Sequence, residues 1–247
     1  MPETGPRRSA RAGDATDTAP APVGPPPFAA LLREPLGLLE PARLALRGAR
    51  LARQPRGRGQ TVVMVPGFGT TDHWLWPLGR YLSWLGYRVE GWGLGRNHGR
   101  VAQLLPRLAE RVAALAARDG APVRLVGWSL GGYLARETAR DRPGDVERVI
   151  TFGAPVVGGP KYTATARQYR AQGFDLDEIE TAVAARAAVP LTVPVTAIYS
   201  RRDGVVAWQA CLDRDTPGVE HVEVPATHLG MGLSPEVFEV VASRLAC

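Results

Sequence analysis

The chain has 247 residues, of which 45% are apolar, and it contains 28 Gly and 22 Pro. A single α/β domain can take up that length, and no run of about 18 uninterrupted apolar residues offers a membrane span. The net charge of +6 arises in the N-terminal part, since residues 1–58 hold ten Arg and five acidic residues. The remainder is nearly neutral and lacks a basic stripe with interleaved aromatic residues, so nucleic acid is not an expected partner.

The N-terminal part divides into two segments. Residues 1–27 are rich in Pro and small polar residues, which predicts a disordered tail, and they lack the apolar core of a secretory signal, so we expect a cytoplasmic protein. Residues 28–58 form a basic, leucine-rich segment, for which we expect two short helices broken at Pro35 and Pro41. The favoured interpretation is that this segment packs its leucines on the domain. The alternative is an amphipathic helix that contacts a membrane surface.

From residue 59 onward, short apolar runs alternate with helical patterns, which predicts βαβ units and a mostly parallel sheet with helices on both faces. Strands are expected at 61–65, 87–92, 123–128, 146–152, 195–199 and 219–224. Helices are expected at 101–118, 130–140 and 235–245. We expect residues 59–247 to form one domain with a helical insertion at about 156–189, which is either a lid or a solvated excursion. Ligands of such sheets bind beyond the carboxyl ends of the strands.

The strongest motif is Gly127-Trp128-Ser129-Leu130-Gly131, which directly follows an apolar strand and directly precedes a helix. A serine on such a sharp turn stands clear of the sheet and serves as a nucleophile. Gly127 and Gly131 lack the Cβ atoms that would hold the strand and the helix apart. The alternative is an ordinary glycine-rich turn, but the strand–turn–helix placement favours Ser129 as a nucleophile.

A serine nucleophile needs a base and an acid that orients the base, and in this arrangement they follow in the order Ser, Asp, His. Asp203 follows the strand 195–199, and His228 follows the strand 219–224, so both are expected at the same sheet edge as Ser129. We predict that His228 takes the Ser129 proton and that Asp203 holds the imidazole. Residues weighed for these roles and not favoured are His73, His98, His221, Asp213 and Asp215.

The loop after the first strand, residues 66–72, is expected to supply an oxyanion hole. We predict that the backbone N–H groups of Phe68 and Leu130 hold the oxyanion, although the loop can also be a plain turn. Trp74, Trp76 and Trp128 line an apolar acyl site or belong to the core. In the insertion, Tyr162, Tyr169 and Phe174 are candidates for an inner face.

The two cysteines, Cys211 and Cys247, have no metal-ligand spacing, and we predict neither a metal site nor a cofactor. Free thiols are expected rather than a disulfide, because the predicted compartment is reducing. The glycines of residues 91–95 lack the strand and helix context of a dinucleotide site. The oligomeric state is not predicted.

At these motifs the chain resembles the α/β-hydrolase superfamily, specifically small bacterial esterase and lipase proteins. The resemblance runs from about residue 59 to the C-terminus, and its matching segments are residues 65–68, 91–97, 127–132, 203–206 and 227–231. It implies an α/β-hydrolase catalytic domain that cleaves small-molecule or lipid carboxylic esters through an acyl-enzyme, without a cofactor. Pro66 departs from the family pattern, since many lipases begin this loop with His-Gly.

Two alternatives remain open from the sequence. The same triad serves an acyltransferase, a thioesterase or an amidase, and only the pocket distinguishes them. The other alternative is a non-catalytic binding protein of hydrolase shape, although an intact Ser, Asp and His argue against it.

Overall fold

The computed structural model describes residues 23–247 and contains one sheet in the order β2-β1-β3-β4-β5-β6. Every neighbouring pair in that sheet is parallel. The strands are β1 (Thr61–Val65), β2 (Arg88–Gly91), β3 (Val123–Trp128), β4 (Val146–Phe152), β5 (Val195–Tyr199) and β6 (Glu220–Glu223). The predicted α/β architecture is confirmed, and β1, β3, β4 and β5 have the predicted bounds.

The central strands consist mainly of β-branched and other apolar residues and are largely buried on both faces, as is typical of parallel sheets. All residues of β1 and β3 are buried, whereas the edge strands β2 and β6 are only partly buried. Side chains of β1 alternate between the two faces. Val62 and Met64 join one apolar core cluster, and Val63 and Val65 join the other.

Helices cover both faces of the sheet. They are α1 (Phe28–Leu31), α2 (Glu40–Leu46), α3 (Gly48–Leu51), α4 (Trp76–Trp84), α5 (Val101–Asp119), α6 (Leu130–Asp141), α7 (Ala166–Ala171), α8 (Leu176–Ala187) and α9 (Pro235–Leu245). The helices α4 and α9 pack in the cluster of Val62, whereas α5 and α6 pack in the cluster of Val63. The sequence did not predict α4, because Pro77 and Gly79 interrupt its short apolar pattern.

The N-terminal segment packs on the domain, but not through most of its leucines. Its buried residues are Glu34, Glu40 and Leu51. The expectation of buried leucines is wrong for Leu32, Leu36, Leu38, Leu39 and Leu46, which are 56–87% exposed. Nor do the prolines break helices: Pro35 and Pro41 lie in the first turns of a 3₁₀ helix (Glu34–Leu39) and of α2. Proline is favoured there because first-turn N–H groups have no partner within the helix.

The predicted disordered tail lies mostly outside the described residues. Its last part, residues 23–27, forms neither helix nor strand, and Val23 packs against the cluster that contains Val206 and Ala207. Over the described chain, no helix is long and apolar enough to cross a membrane. Both cysteines are free, with Cys211 buried and Cys247 exposed, as expected.

The turn between β3 and α6 depends on close backbone approach. A Cβ on Gly131 would lie 2.2 Å from the carbonyl oxygen of Val65 and 2.5 Å from that of Pro66. A Cβ on Gly127 would lie 2.5 Å from the carbonyl oxygen of Gly131. These atoms are backbone and cannot rotate away, so only glycine allows α6 to start directly above the end of β1.

We expect Gly131→Ala to lower the free energy of unfolding by about 1–3 kcal/mol, because the added methyl forces the backbone of β1 and α6 apart. Urea denaturation measures this change. Gly144→Ala is the matched control, since a Cβ there meets nothing within 4 Å. Equal effects of the two substitutions would contradict the packing constraint.

A buried ion pair joins α6 to the segment before β6. Arg136 donates to the carboxylate of Asp213, and Thr216 contributes a backbone N–H and its hydroxyl to the same cluster. Burial alone would raise the pKa of Asp213, but hydrogen bonds from Thr216 and Arg136 outweigh it and lower the pKa to about 2 from its ordinary 3.8. The carboxylate therefore stabilises the fold above pH 3.8 and loses this contribution as the pH falls toward 2.

We expect Asp213→Asn to destabilise the protein by about 3–5 kcal/mol at pH 7, because Arg136 is left buried without its counter-charge. The difference from wild type should shrink between pH 4 and pH 2, as the wild-type carboxylate is protonated. Denaturation at a series of pH values measures this trend. The control is Asp215→Asn, which changes an exposed side chain two residues away and should leave the pH dependence of stability unaltered. If the stability difference between Asp213→Asn and wild type stayed constant from pH 7 to pH 2, the low pKa of Asp213 would be contradicted.

Candidate active site

Ser129 occupies the turn between β3 and α6 in a strained backbone conformation. Its φ of 54° and ψ of −128° make it the one residue other than glycine with positive φ between residues 23 and 247. Such conformations cost about 1–3 kcal/mol and persist where the surrounding structure enforces them. Here the Ser129 N–H donates to the carbonyl of Phe152 at the end of β4, and the Ser129 carbonyl accepts from the Gly132 N–H. The turn is thereby fixed on both sides of the serine.

Asp203 and His228 come together at the carboxyl edge of the sheet, from the loops after β5 and β6. The Nδ1 atom of His228 lies 2.7 Å from Oδ2 of Asp203, and both side chains are buried. The other carboxylate oxygen of Asp203 accepts the backbone N–H groups of Val205 and Val206 at 2.8 and 2.7 Å. The carboxylate is therefore held in place and orients the imidazole, leaving Nε2 of His228 free to exchange a proton.

Ser129 and His228 line the same cavity. Within the described residues no hydrogen bond joins the Ser129 hydroxyl to His228. The residue before Ser129, Trp128, contacts the imidazole of His228: the two ring centroids lie 5.2 Å apart.

The loop after β1 passes beside Ser129. A Cβ on Gly67 would lie 3.2 Å from the Cβ of Ser129, so the backbone of this loop borders the nucleophile. Among residues 23–247, the N–H of Phe68 has no hydrogen-bond partner. Leu130 is the first residue of α6, and first-turn N–H groups have no partner within their helix. Both predicted oxyanion donors thus lie at the site with their N–H groups uncommitted.

Asn97 fixes this loop, which the sequence did not predict. Its buried side chain donates to the carbonyl of Pro66 at 2.8 Å, and its backbone carbonyl accepts from Gly69 at 2.7 Å. Its backbone N–H in turn donates to the carbonyl of Thr70. The sequence held one indication of this residue, because Asn97 is the last residue of a segment, 91–97, that carries the family resemblance. No local pattern, however, links Asn97 to a loop some 30 residues earlier.

The cavity has a volume of about 910 Å³ and a mainly apolar lining. Its apolar lining side chains include Phe68, Trp74, Trp128, Leu130, Tyr133, Tyr169, Phe174, Ile179, Val183, Val206 and Leu229. A cavity of this size with a mainly apolar lining suits a mostly apolar small molecule. Of the three predicted tryptophans, Trp74 stacks on Trp128 at 5.4 Å, whereas Trp76 lies outside the lining and is 62% exposed.

The insertion at 156–189 contributes one side of the cavity through α7 and α8. Tyr169 and Phe174 face the cavity as predicted, and the Tyr169 ring lies 4.7 Å from that of Phe68. Burial raises the pKa of Tyr169 well above its usual range, so its phenol stays neutral. Tyr162 does not line the cavity; its hydroxyl donates to Glu180 instead. The insertion therefore covers the site rather than extending into solvent.

The residues not favoured as triad members do not line the cavity. His73 and His98 are exposed. The His221 Nε2 accepts the backbone N–H of Asp213, and burial lowers the pKa of this histidine. Asp213 belongs to the buried ion pair with Arg136, and the described residues contain no group of His, Cys, Asp and Glu that could hold a metal ion.

The comparisons with known proteins agree with this architecture. The model of the alpha/beta hydrolase family matches residues 62–241. None of the curated proteins matches the chain in sequence.

Solved structures share the fold at low sequence identity. One is described as LipS and LipT, two metagenome-derived lipolytic enzymes, and has a TM-score of 0.58 at 15% identity, covering 78% of this chain and 94% of that one. Est1E from Butyrivibrio proteoclasticus has a TM-score of 0.57 at 13% identity, over 78% and 89%. MGS-MChE2, an alpha/beta hydrolase from a sediment metagenome of the Mar Chica lagoon, Morocco, has a TM-score of 0.53 at 18% identity, over 77% and 91%. Because the family model spans most of the chain and the sheet and turn follow its architecture, this protein is a member of the alpha/beta hydrolase family.

Proposed function

We propose that this protein hydrolyses carboxylic esters with an apolar acyl part, through an acyl-enzyme on Ser129. The observation that carries the proposal is that Ser129, on its strained turn, shares one large apolar cavity with His228, whose Nδ1 is bound to Asp203. Lipolytic enzymes among the structural neighbours are consistent with it.

In the proposed mechanism, Ser129 Oγ attacks the ester carbonyl while Nε2 of His228 takes its proton. Asp203 stabilises the resulting imidazolium through Nδ1. The N–H groups of Phe68 and Leu130 donate to the tetrahedral oxyanion, at the N-terminus of α6, where the helix dipole favours negative charge. His228 then protonates the leaving alkoxide, and the acyl group remains on Ser129.

Water completes the cycle by the reverse sequence of proton transfers. His228 takes a proton from the water, whose hydroxide attacks the acyl carbonyl, and a second oxyanion forms at the same N–H groups. Collapse of this intermediate returns the proton to Ser129 Oγ and releases the carboxylic acid. The acyl chain lies among the aromatic and aliphatic side chains of the cavity, whose burial of apolar surface supplies binding free energy.

We expect Ser129→Ala to lower turnover of p-nitrophenyl esters by about 10⁴-fold or more, because the acyl-enzyme no longer forms. A series of esters from acetate to palmitate, with wild type and variant compared, measures this loss. Ser83→Ala, on the exposed side of α4, is the control and should retain wild-type rates. Turnover by Ser129→Ala near the wild-type level would overturn the proposal.

The cavity predicts the acyl preference as well. Ile179 of α8 lines the cavity, so Ile179→Trp should reduce kcat/KM for long-chain esters by about tenfold or more through lost space, with acetate hydrolysis little changed. Ala184→Trp, on the same helix but outside the lining, serves as control. An unaltered chain-length profile in Ile179→Trp would place the acyl chain elsewhere.

A further inference from the structure

A carboxylate of the N-terminal segment reaches both loops that carry the acid and the base. The Oε1 atom of Glu34 accepts the backbone N–H of Gly204 at 2.8 Å and that of His228 at 3.1 Å. Its Oε2 atom accepts the N–H of Leu229 at 2.9 Å. Glu34 is only 7% exposed. A single side chain is thus bonded to the residue after Asp203, to His228 itself and to the residue after it.

These hydrogen bonds explain why a carboxylate is buried there. A buried charge is costly unless hydrogen bonds replace its hydration, and three backbone N–H donors do so at Glu34. Hydrogen bonds to a charged acceptor are also stronger than neutral ones. No other residue type offers two acceptor atoms at this reach without adding a donor. Glutamine, with nearly the same shape, would place an NH₂ group against one set of N–H donors.

Close backbone packing seats the segment against the same loops. A Cβ on Gly204 would lie 2.4 Å from the carbonyl oxygen of Ala30, and a Cβ on Gly37 would lie 3.0 Å from the backbone nitrogen of Gly230. Both loops therefore contact the segment through glycine, which lets the backbones approach.

Ion pairs and a buried leucine also hold the N-terminal segment against α9. Arg43 donates to Glu236, while Arg47 and Arg50 pair with Glu239, so that α2 and α3 are bound to α9. Leu51 is buried in the core cluster with the residues of α9. Glu34 is therefore presented from an element that is itself fixed to the domain.

We propose that Glu34 is a positioning residue that holds the Asp203 and His228 loops in register, so that the N-terminal segment completes the active site. This inference rests on the proposed function, because it assumes that His228 acts as the base for Ser129. Asp203 itself is bound to His228 and to two backbone N–H groups of its own loop. Asp203 thus holds His228 within the pair, and Glu34 holds the loops of both residues in place relative to the rest of the molecule. Loss of Glu34 lets the two loops move apart and misplaces the imidazole relative to Ser129.

The test compares full-length Glu34→Gln with wild type, by the second-order rate of inactivation by diisopropyl fluorophosphate and by hydrolysis of p-nitrophenyl butyrate per titrated active site. Both reactions need His228 to take the Ser129 proton. We expect both rates to fall by about 10- to 100-fold, as small misplacements of reacting groups cause. The loss should appear in kcat more than in KM, because most of the cavity lining lies on other elements. Glu220→Gln is the matched control: it removes the ion-pair partner of Arg244 at the start of β6, away from the N-terminal segment and from both loops, and should keep wild-type rates per site.

Each other outcome overturns the inference. Wild-type rates per titrated site in Glu34→Gln, with only a smaller active fraction or a lower melting temperature, would show a role in stability alone. If circular dichroism shows that Glu34→Gln is unfolded, Glu34→Asp takes its place in the test, since it keeps the charge and withdraws the carboxylate by one methylene. Wild-type rates per site in Glu34→Asp would contradict the proposal that Glu34 positions the two loops. Wild-type protein that does not react with the fluorophosphate would overturn the proposed function itself, and the role of Glu34 with it.

Discussion

The close approach of α6 to the end of β1 is the constraint on which the site depends. Because the residues at 127 and 131 are glycines, the backbone turns sharply enough to hold Ser129 at positive φ and to bring the first N–H groups of α6 beside the loop at 66–70. The same parallel sheet delivers the loops after β5 and β6 to that edge. The proposed nucleophile, oxyanion donors, base and acid therefore meet because of strand order and one steric restriction.

The N-terminal segment inverts the usual distribution of polar and apolar residues. It buries Glu34 and Glu40 while most of its leucines face outward. Hydrogen bonds to the loops that carry Asp203 and His228, and ion pairs to α9, account for its position better than burial of apolar area does. The favoured interpretation, in which the segment packs its leucines on the domain, is wrong for most of them, and the alternative of a membrane-surface helix stays a prediction.

The sequence predicted the elements best where the signal is local. Four strand bounds coincide with the structure because these strands are buried, largely apolar runs, two of which end at Pro66 and Gly153. Ser129, Asp203 and His228 follow strands whose carboxyl ends share one edge. Glu34 and Asn97 could not be found in this way. The hydrogen bonds of Glu34 join residues 170–195 positions apart, and no periodicity or motif near residue 34 indicates them. The leucine pattern of residues 28–53 misled for the same reason, since periodicity shows that a face is apolar but not what covers it.

The most direct measurement is rapid-quench mass spectrometry of the protein during turnover of a p-nitrophenyl ester. The triad predicts a transient adduct of the acyl mass, located on the peptide that contains Ser129, which forms with the burst of p-nitrophenol and decays as the acid is released. An adduct on another residue, or steady turnover with no covalent adduct under conditions that trap one in other serine hydrolases, would contradict the assignment of Ser129 as the nucleophile.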